Sequence, residues 1–264
     1  MARIAVSGAS GRMGKMLIEA VVQSEDLELA AALCPESDAA VGLDAGAFMG
    51  KTTGVEISAD PGVLQTCDVL IDFTRPAGTL AYLDACVQYK TGMVIGTTGF
   101  DAAGIAAIER ASQLVPIVFA PNMSVGVNAA FKLIETAAKL LAGYDCEIVE
   151  MHHKHKVDAP SGTALEMGRR VALARGQNFD DVALLSRQGH TGERKPGTIG
   201  FAALRGGDVV GDHTVVFAST GERIEISHKS GSRAGYAQGS LEAARFILKR
   251  NKGLYNMSDV LGLS

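Results

Sequence analysis

Three short, continuously apolar runs, each separated from the next by a helix-length stretch, constrain this chain more than any other feature. They span 68–74 (DVLIDFT), 93–98 (MVIGTT) and 116–122 (PIVFAPN). A strand with one wet face alternates apolar and polar residues. A strand apolar throughout is buried on both faces, the condition of a parallel sheet covered by helices. A helical pattern over 77–89 follows the first run, and Pro76 suits its start because the missing N–H has no acceptor there anyway. A second helical pattern, around 102–113, follows the next. Upstream, Ile4 to Ser7 and Leu27 to Cys34 read as strands on either side of a helix through 13–23. The expectation is an α/β, doubly wound parallel sheet.

Beyond Asn122 the pattern changes. An amphipathic helix over 127–142 leads to a strand at 146–153 and a helix at 164–175. Three β-rich runs follow, at 198–205, 211–219 and 222–229, with a closing helix at 239–250. A chain of 264 residues accommodates two domains, so the reading is a Rossmann-like domain plus a second α+β sheet domain, divided near residue 122. A formal net charge of −4, from 25 basic and 29 acidic residues, argues against a nucleic-acid surface. No apolar run approaches the roughly 20 residues that span a bilayer, and Ser7 and Gly8 interrupt the N-terminal apolar stretch, unlike a signal peptide. The cysteines, at 34, 67, 86 and 146, are scattered. Cys67 and Cys86 read as small buried side chains, and the expectation is a reduced, cytoplasmic protein without a zinc or disulfide framework.

Between the first strand and first helix lies Gly8-Ala9-Ser10-Gly11-Arg12-Met13-Gly14. Glycines there let the backbone approach a pyrophosphate, and the helix start supplies N–H donors. The spacing is G-x-x-G-x-x-G, and its position opening an α/β domain is what points to a dinucleotide. The acid expected about 20 residues further on, to hold the ribose, is missing. That count lands on Cys34, followed by Pro35 and then Glu36, while Arg12 is a candidate partner for a 2′-phosphate. Phe73-Thr74-Arg75, Gly96-Thr97-Thr98 and Ala120-Pro121-Asn122-Met123 fall at strand C-termini, where doubly wound sheets bind ligands.

The second chemical feature is Glu150-Met-His152-His153-Lys154-His155-Lys156-Val-Asp158-Ala-Pro160-Ser161-Gly162-Thr163. Three histidines, two lysines and an aspartate within seven positions are too polar for a core strand. His152 and His153 point to opposite faces of a strand, so they do not share a metal ion. Ser161-Gly162-Thr163 opens a helix, and Thr163 with Glu166 has capping-box spacing. Helix N–H groups beside Lys156 suit a small carboxylate, and a histidine beside such a clamp suits acid–base work.

Together with Asp72-Phe73-Thr74-Arg75-Pro76, Gly96-Thr97-Thr98-Gly99-Phe100, Ser186 to Arg194 and Pro196 to Phe201, these motifs resemble the 4-hydroxy-tetrahydrodipicolinate reductase (dihydrodipicolinate reductase) family over nearly the whole chain. The resemblance implies a Rossmann-like domain over 1–122 and 234–264, and a substrate-binding and tetramerising sheet domain over 123–233. It implies His152 as general acid/base and Lys156 as proton donor. It places His153, Ser161, Gly162, Thr163 and Arg233 on the substrate's carboxylates, and Gly8 to Met13, Cys34, Phe73, Arg75, Gly96 to Thr98 and Ala120 to Met123 along the cofactor, with no metal. Where the family often carries an acidic then a basic residue, this chain has Cys34-Pro35. The consequence is dual use of NADH and NADPH. Three rivals explain less. A semialdehyde dehydrogenase needs a thiolate near a histidine, and only Cys146 is close in sequence. A non-enzymatic dinucleotide sensor leaves the His/Lys block without a purpose. A short-chain dehydrogenase needs Tyr-x-x-x-Lys, a spacing that none of the five tyrosines has.

Overall fold

The computed structural model describes residues 1–263. Its elements run β1 (Ala2–Ser7), α1 (Arg12–Val22), β2 (Leu27–Leu33), β3 (Ile57–Ser58), β4 (Val69–Asp72), α2 (Pro76–Tyr89), β5 (Gly92–Ile95), α3 (Ala102–Ser112), β6 (Pro116–Phe119) and α4 (Val125–Leu140). They continue with β7 (Asp145–His152), α5 (Gly162–Ala174), α6 (Phe179–Val182), β8 (Ala183–Leu184), β9 (Ile199–Arg205), β10 (Gly211–Ser219), β11 (Glu222–Ser230), α7 (Ala234–Ile247), β12 (Gly253–Tyr255) and α8 (Met257–Leu261). The chain forms two compact units, Met1–Val125 with Arg233–Ser264, and Gly126–Ser232.

The first unit holds a seven-stranded sheet in the order β12-β6-β5-β4-β1-β2-β3, parallel throughout. Strand order reverses at β1, which is hydrogen-bonded to both β2 and β4 and creates the crevice where doubly wound folds bind ligands. Both faces are covered. Ile4, Val6, Val69, Ile71 and Val94 pack with Leu17 and Ile18 of α1 and Leu241 and Ile247 of α7. Ala5, Leu70, Met93, Ile95 and Ile117 pack on the other side with Leu83 and Cys86 of α2 and Ile108 of α3. At about 1.5–3 kcal/mol per fully buried aliphatic side chain, this two-sided burial requires the uninterrupted apolar runs. Pro76 is the first residue of α2, as its fixed φ favours.

Several boundaries differ from the sequence reading. The strand expected at 68–74 runs Val69–Asp72, and Phe73 and Thr74 lie in the connection to α2. The closing helix begins at Ala234 rather than 239, since its first residues, Ala234-Gly235-Tyr236-Ala237-Gln238, carry mostly small side chains and glycine in place of an apolar period. β12 was not expected. It is three residues long, and its place is set by pairing with β6.

The second unit holds a mixed sheet in the order β11-β10-β7-β9-β8. β7 alternates strictly, with Cys146, Ile148, Glu150 and His152 inward. Cys146 and Ile148 join Ile199, Phe201, Val215 and Phe217 in a core closed by Phe131 and Ile134 of α4 and Met167 and Val171 of α5. Among the described residues, no helix is long and apolar enough to cross a membrane, and no group of three or more His, Cys, Asp or Glu forms a metal set.

Candidate active site

In the first unit, the β1–α1 turn is shaped by its glycines. Gly8 has φ +65°, a left-handed conformation that other residues adopt only with strain. A Cβ on Gly14 would collide with the Gly8 carbonyl, so only glycine allows the helix to start this close to the turn. Gly11 caps α1 without a side-chain hydrogen bond, and the first turn carries no acid. No acid of the helix's own first turn offsets its positive end. This cradle, with the reversal of strand order beside it, fits the pyrophosphate of a dinucleotide.

At the C-terminal ends of β4 and β5, Asp72 is fully buried and accepts hydrogen bonds from four hydroxyls. Ser7 and Thr74 donate to Oδ1 at 2.6 and 2.8 Å, and Thr79 and Thr97 to Oδ2 at 2.5 and 2.7 Å. The Thr74 N–H donates in turn to Thr97 Oγ1 at 2.8 Å. The Phe73 ring lies where a side chain on Gly96 would be. The sequence-derived cofactor residues Phe73, Gly96 and Thr97 are thus brought together by a buried carboxylate that sequence reasoning quoted but gave no role. Arg12, Arg75, Thr98 and Pro121 are exposed, and Asn122 is half-buried. Ala9, Cys34, Ala120 and Met123 are buried, so they offer a ligand only their backbone.

Another acid lies a few residues past β2. Asp38 Oδ2 accepts from Ser10 Oγ at 2.6 Å and Oδ1 from the Ala40 N–H at 2.9 Å. These bonds hold its carboxyl below the usual range. Glu36, the acid considered from sequence, is exposed, and it is Asp38 that reaches the glycine-rich turn.

In the second unit, the inner face of the sheet changes from apolar to polar along β7. Glu150 is 1 % exposed and accepts from Arg205 Nη1 and Nη2 at 2.8 and 2.9 Å, from the Ser161 N–H at 3.1 Å, and faces His152 Nδ1 at 2.6 Å. Burial pushes the Glu150 carboxyl up, but Arg205 and His152 more than offset it and hold it below the usual range. With Nδ1 held by a carboxylate, His152 keeps Nε2 for proton transfer. His213, paired with Glu150 across β7 and β10, sits 5.0 Å from the His152 ring, centroid to centroid. Its Nε2 contacts Ser161 Oγ at 2.7 Å. Burial, reinforced by His152, lowers its pKa to about 4, so it is neutral at pH 7.

Ser161 caps α5, its Oγ accepting from the Ala164 N–H at 3.1 Å. This corrects the capping box expected from Thr163 and Glu166. The helix begins two residues earlier than that spacing implies, and Glu166 instead pairs with Arg170 at 2.7 Å. The Ser161 N–H and hydroxyl both have protein partners, which fix this residue at the start of α5. Gly162 and Thr163 are the first helical residues, whose N–H groups have no acceptor within the helix. Lys156 is held by Asp158, with Nζ 2.6 and 2.7 Å from its two oxygens. His153 lies half-buried, turned away from His152, its Nδ1 without a protein partner. Arg233 stands at the N-cap of α7, in the first unit. Sequence reasoning missed Glu150, Arg205 and His213 as site members. Glu150 carried a signal, an acid at an inward position two residues from a histidine. Cys146 is buried, with its thiol pushed up to about 12 by burial, so it is no thiolate nucleophile.

Two family models match the chain: "Dihydrodipicolinate reductase, N-terminus" over residues 2–123 and "Dihydrodipicolinate reductase, C-terminus" over 126–261. The 4-hydroxy-tetrahydrodipicolinate reductase of Polynucleobacter necessarius is 62% identical over 263 residues, covering 99% of both chains. That of Bordetella parapertussis is 60% identical, covering 99% of this chain and 97% of its own. A solved dihydrodipicolinate reductase from Paenisporosarcina sp. TG-14, with dipicolinate bound, superimposes with a TM-score of 0.79 at 24% identity, over 98% of this chain and 99% of the other.

Proposed function

The chain belongs to the dihydrodipicolinate reductase family, and from that premise we propose how its residues carry out the family's reaction. It reduces 4-hydroxy-tetrahydrodipicolinate to tetrahydrodipicolinate with loss of water, a step in lysine and diaminopimelate biosynthesis. When bound, a reduced nicotinamide nucleotide supplies the hydride.

The chain's own work is to bind two ligands and to manage protons. Gly8 to Met13 and the start of α1 take the pyrophosphate, while Phe73, Arg75, Gly96 to Thr98 and Ala120 to Met123 line the rest of the nucleotide. The substrate's two carboxylates need N–H and cationic partners. Gly162 and Thr163 supply N–H groups of the helix start, with Ser161 and His153 beside them, and Arg233 supplies the cation. His152 acts as general acid/base through Nε2, kept in one tautomer by Glu150, which Arg205 anchors in turn. Lys156 donates the proton to the reduced ring, leaving Asp158 to do so. The observation that carries this reading is the Arg205–Glu150–His152 chain, which fixes an imidazole beside the N-terminus of α5, whose first N–H groups have no acceptor within the helix.

Both NADH and NADPH serve, because Cys34, the first residue past β2, is buried and uncharged, and the charges nearest the glycine-rich turn, Asp38 and Arg12, oppose each other. The protein is a cytoplasmic homotetramer. Support for assembly comes from the outer face of the second sheet, where Leu184, Val149, Met151, Leu204 and Val216 form an apolar surface. The test is oxidation of NADH and NADPH with the hydroxylated ring substrate generated by a coupled synthase. A planar pyridine dicarboxylate should inhibit competitively against that substrate. No substrate-dependent oxidation would refute the reaction, and no inhibition would refute the carboxylate clamp.

A further inference from the structure

The C-terminal end of β2 is where a doubly wound nucleotide domain meets the adenosine ribose. In this chain the first residue past the strand is Cys34, 1 % exposed. Its sulfur accepts the Ser10 N–H at 3.3 Å and lies 3.4 Å from Ser10 Oγ, so it faces the glycine-rich turn rather than a ligand. The backbone then turns, with the Asp38 N–H donating to the Pro35 carbonyl at 2.9 Å. That turn brings the Asp38 carboxylate back onto Ser10, in the glycine-rich turn itself.

Resting on the dinucleotide reading above, we infer that Asp38 is the specificity-determining residue of the nucleotide site, accepting hydrogen bonds from the ribose hydroxyls and opposing a 2′-phosphate. Its two bonds, from Ser10 and Ala40, use part of the acceptor capacity of a carboxylate, which can take about four donors. The Ser10 bond ties it to the segment that cradles the pyrophosphate, so ribose and phosphates are read by one connected unit. The charge that Cys34 does not carry is thus supplied four residues later. Against it stands Arg12, exposed at the first position of α1, which favours a 2′-phosphate. The two opposed charges keep both nucleotides usable, and removing one tips the balance.

The test is calorimetric titration of the full-length protein with NADH, NADPH, 5′-AMP and 2′-phospho-5′-AMP, without turnover. Asp38→Asn should lower the ratio of Kd for NADPH to Kd for NADH by about tenfold, because a like-charge repulsion is lost. The fragments should show the same change. Asp38→Ala, which also removes the acceptor for Ser10, should move the ratio the same way, with unfolding midpoints confirming that each variant is folded. A ratio within twofold of wild type in both folded variants would overturn the role of Asp38 while leaving dinucleotide binding intact. A wild-type protein that binds neither dinucleotide would overturn the nucleotide reading and this inference together.

Discussion

Replacing Asp72 with asparagine changes one oxygen to an amide in the most densely bonded buried group of the first unit. The carboxylate takes four hydroxyl donors, two on each oxygen. Asparagine keeps one oxygen and can still satisfy Ser7 and Thr74. Its amide would then face Thr79 and Thr97, both donors to Asp72 in the native protein. Thr97 Oγ1 already accepts from the Thr74 N–H, so its proton has little freedom to turn elsewhere. Hydrogen bonds to a charged acceptor contribute about 1.5–3 kcal/mol each, so losing two costs roughly 3–6 kcal/mol. Rotation of Thr79 recovers part of that, leaving about 3 kcal/mol. A domain is stable by about 5–15 kcal/mol in total. For a unit of this size the loss lowers Tm by roughly 6–12 °C. Thermal unfolding followed by circular dichroism, with and without nucleotide, reads it. Nucleotide affinity should fall too, because Thr97 and Phe73 lose their anchor. A Tm within about 2 °C of wild type would show that the hydroxyls bind Asp72 no better than they bind water.

Four further outcomes are expected. His152→Gln and Lys156→Ala should each lower kcat by about 10²–10⁴ with nucleotide Kd nearly unchanged, and wild-type turnover in either would refute the assignment. Glu150→Gln keeps the shape beside His152 but removes the charge. kcat should fall about tenfold and the pH–rate profile should move toward acid, where a merely structural role would change Tm alone. His213 is neutral when folded, with a pKa lowered by burial from 6.5 to about 4 in the company of His152, Glu150, His228 and Lys156. The unfolded chain therefore binds the extra proton, so this contribution is complete above pH 6.5 and is lost as pH falls toward 4. It amounts to about 3 kcal/mol, and an unaltered pH dependence of Tm in His213→Asn would refute it. Specificity constants for NADH and NADPH should lie within about tenfold of each other, with Arg12→Ala hurting NADPH more, and equal losses would show that Arg12 does not face the ribose.

Much of this was legible in order along the chain, because its causes are local. An apolar run of strand length announces burial on both faces, and 69–72, 92–95 and 116–119 are strands of the parallel sheet. Glycines between β1 and α1 announce a tight approach of backbone to backbone, and Pro76 announces a helix start. Alternation along β7 puts His152 on the inward face with Cys146, Ile148 and Glu150. Tertiary structure alone decided which polar groups meet. Asp38 reaches Ser10 across 28 residues, Ser161 reaches His213 across 52, Arg205 reaches Glu150 across 55 and Ser7 reaches Asp72 across 65. Hydrophobic burial is non-directional and leaves a periodic trace in the sequence. A hydrogen bond depends on register and on which crossover brings two strand ends together, and these are settled only when the sheet is complete. The same physics explains both sides of the nucleotide site: glycine spacing identified the cradle, and the turn after β2 determined which carboxylate stands beside it.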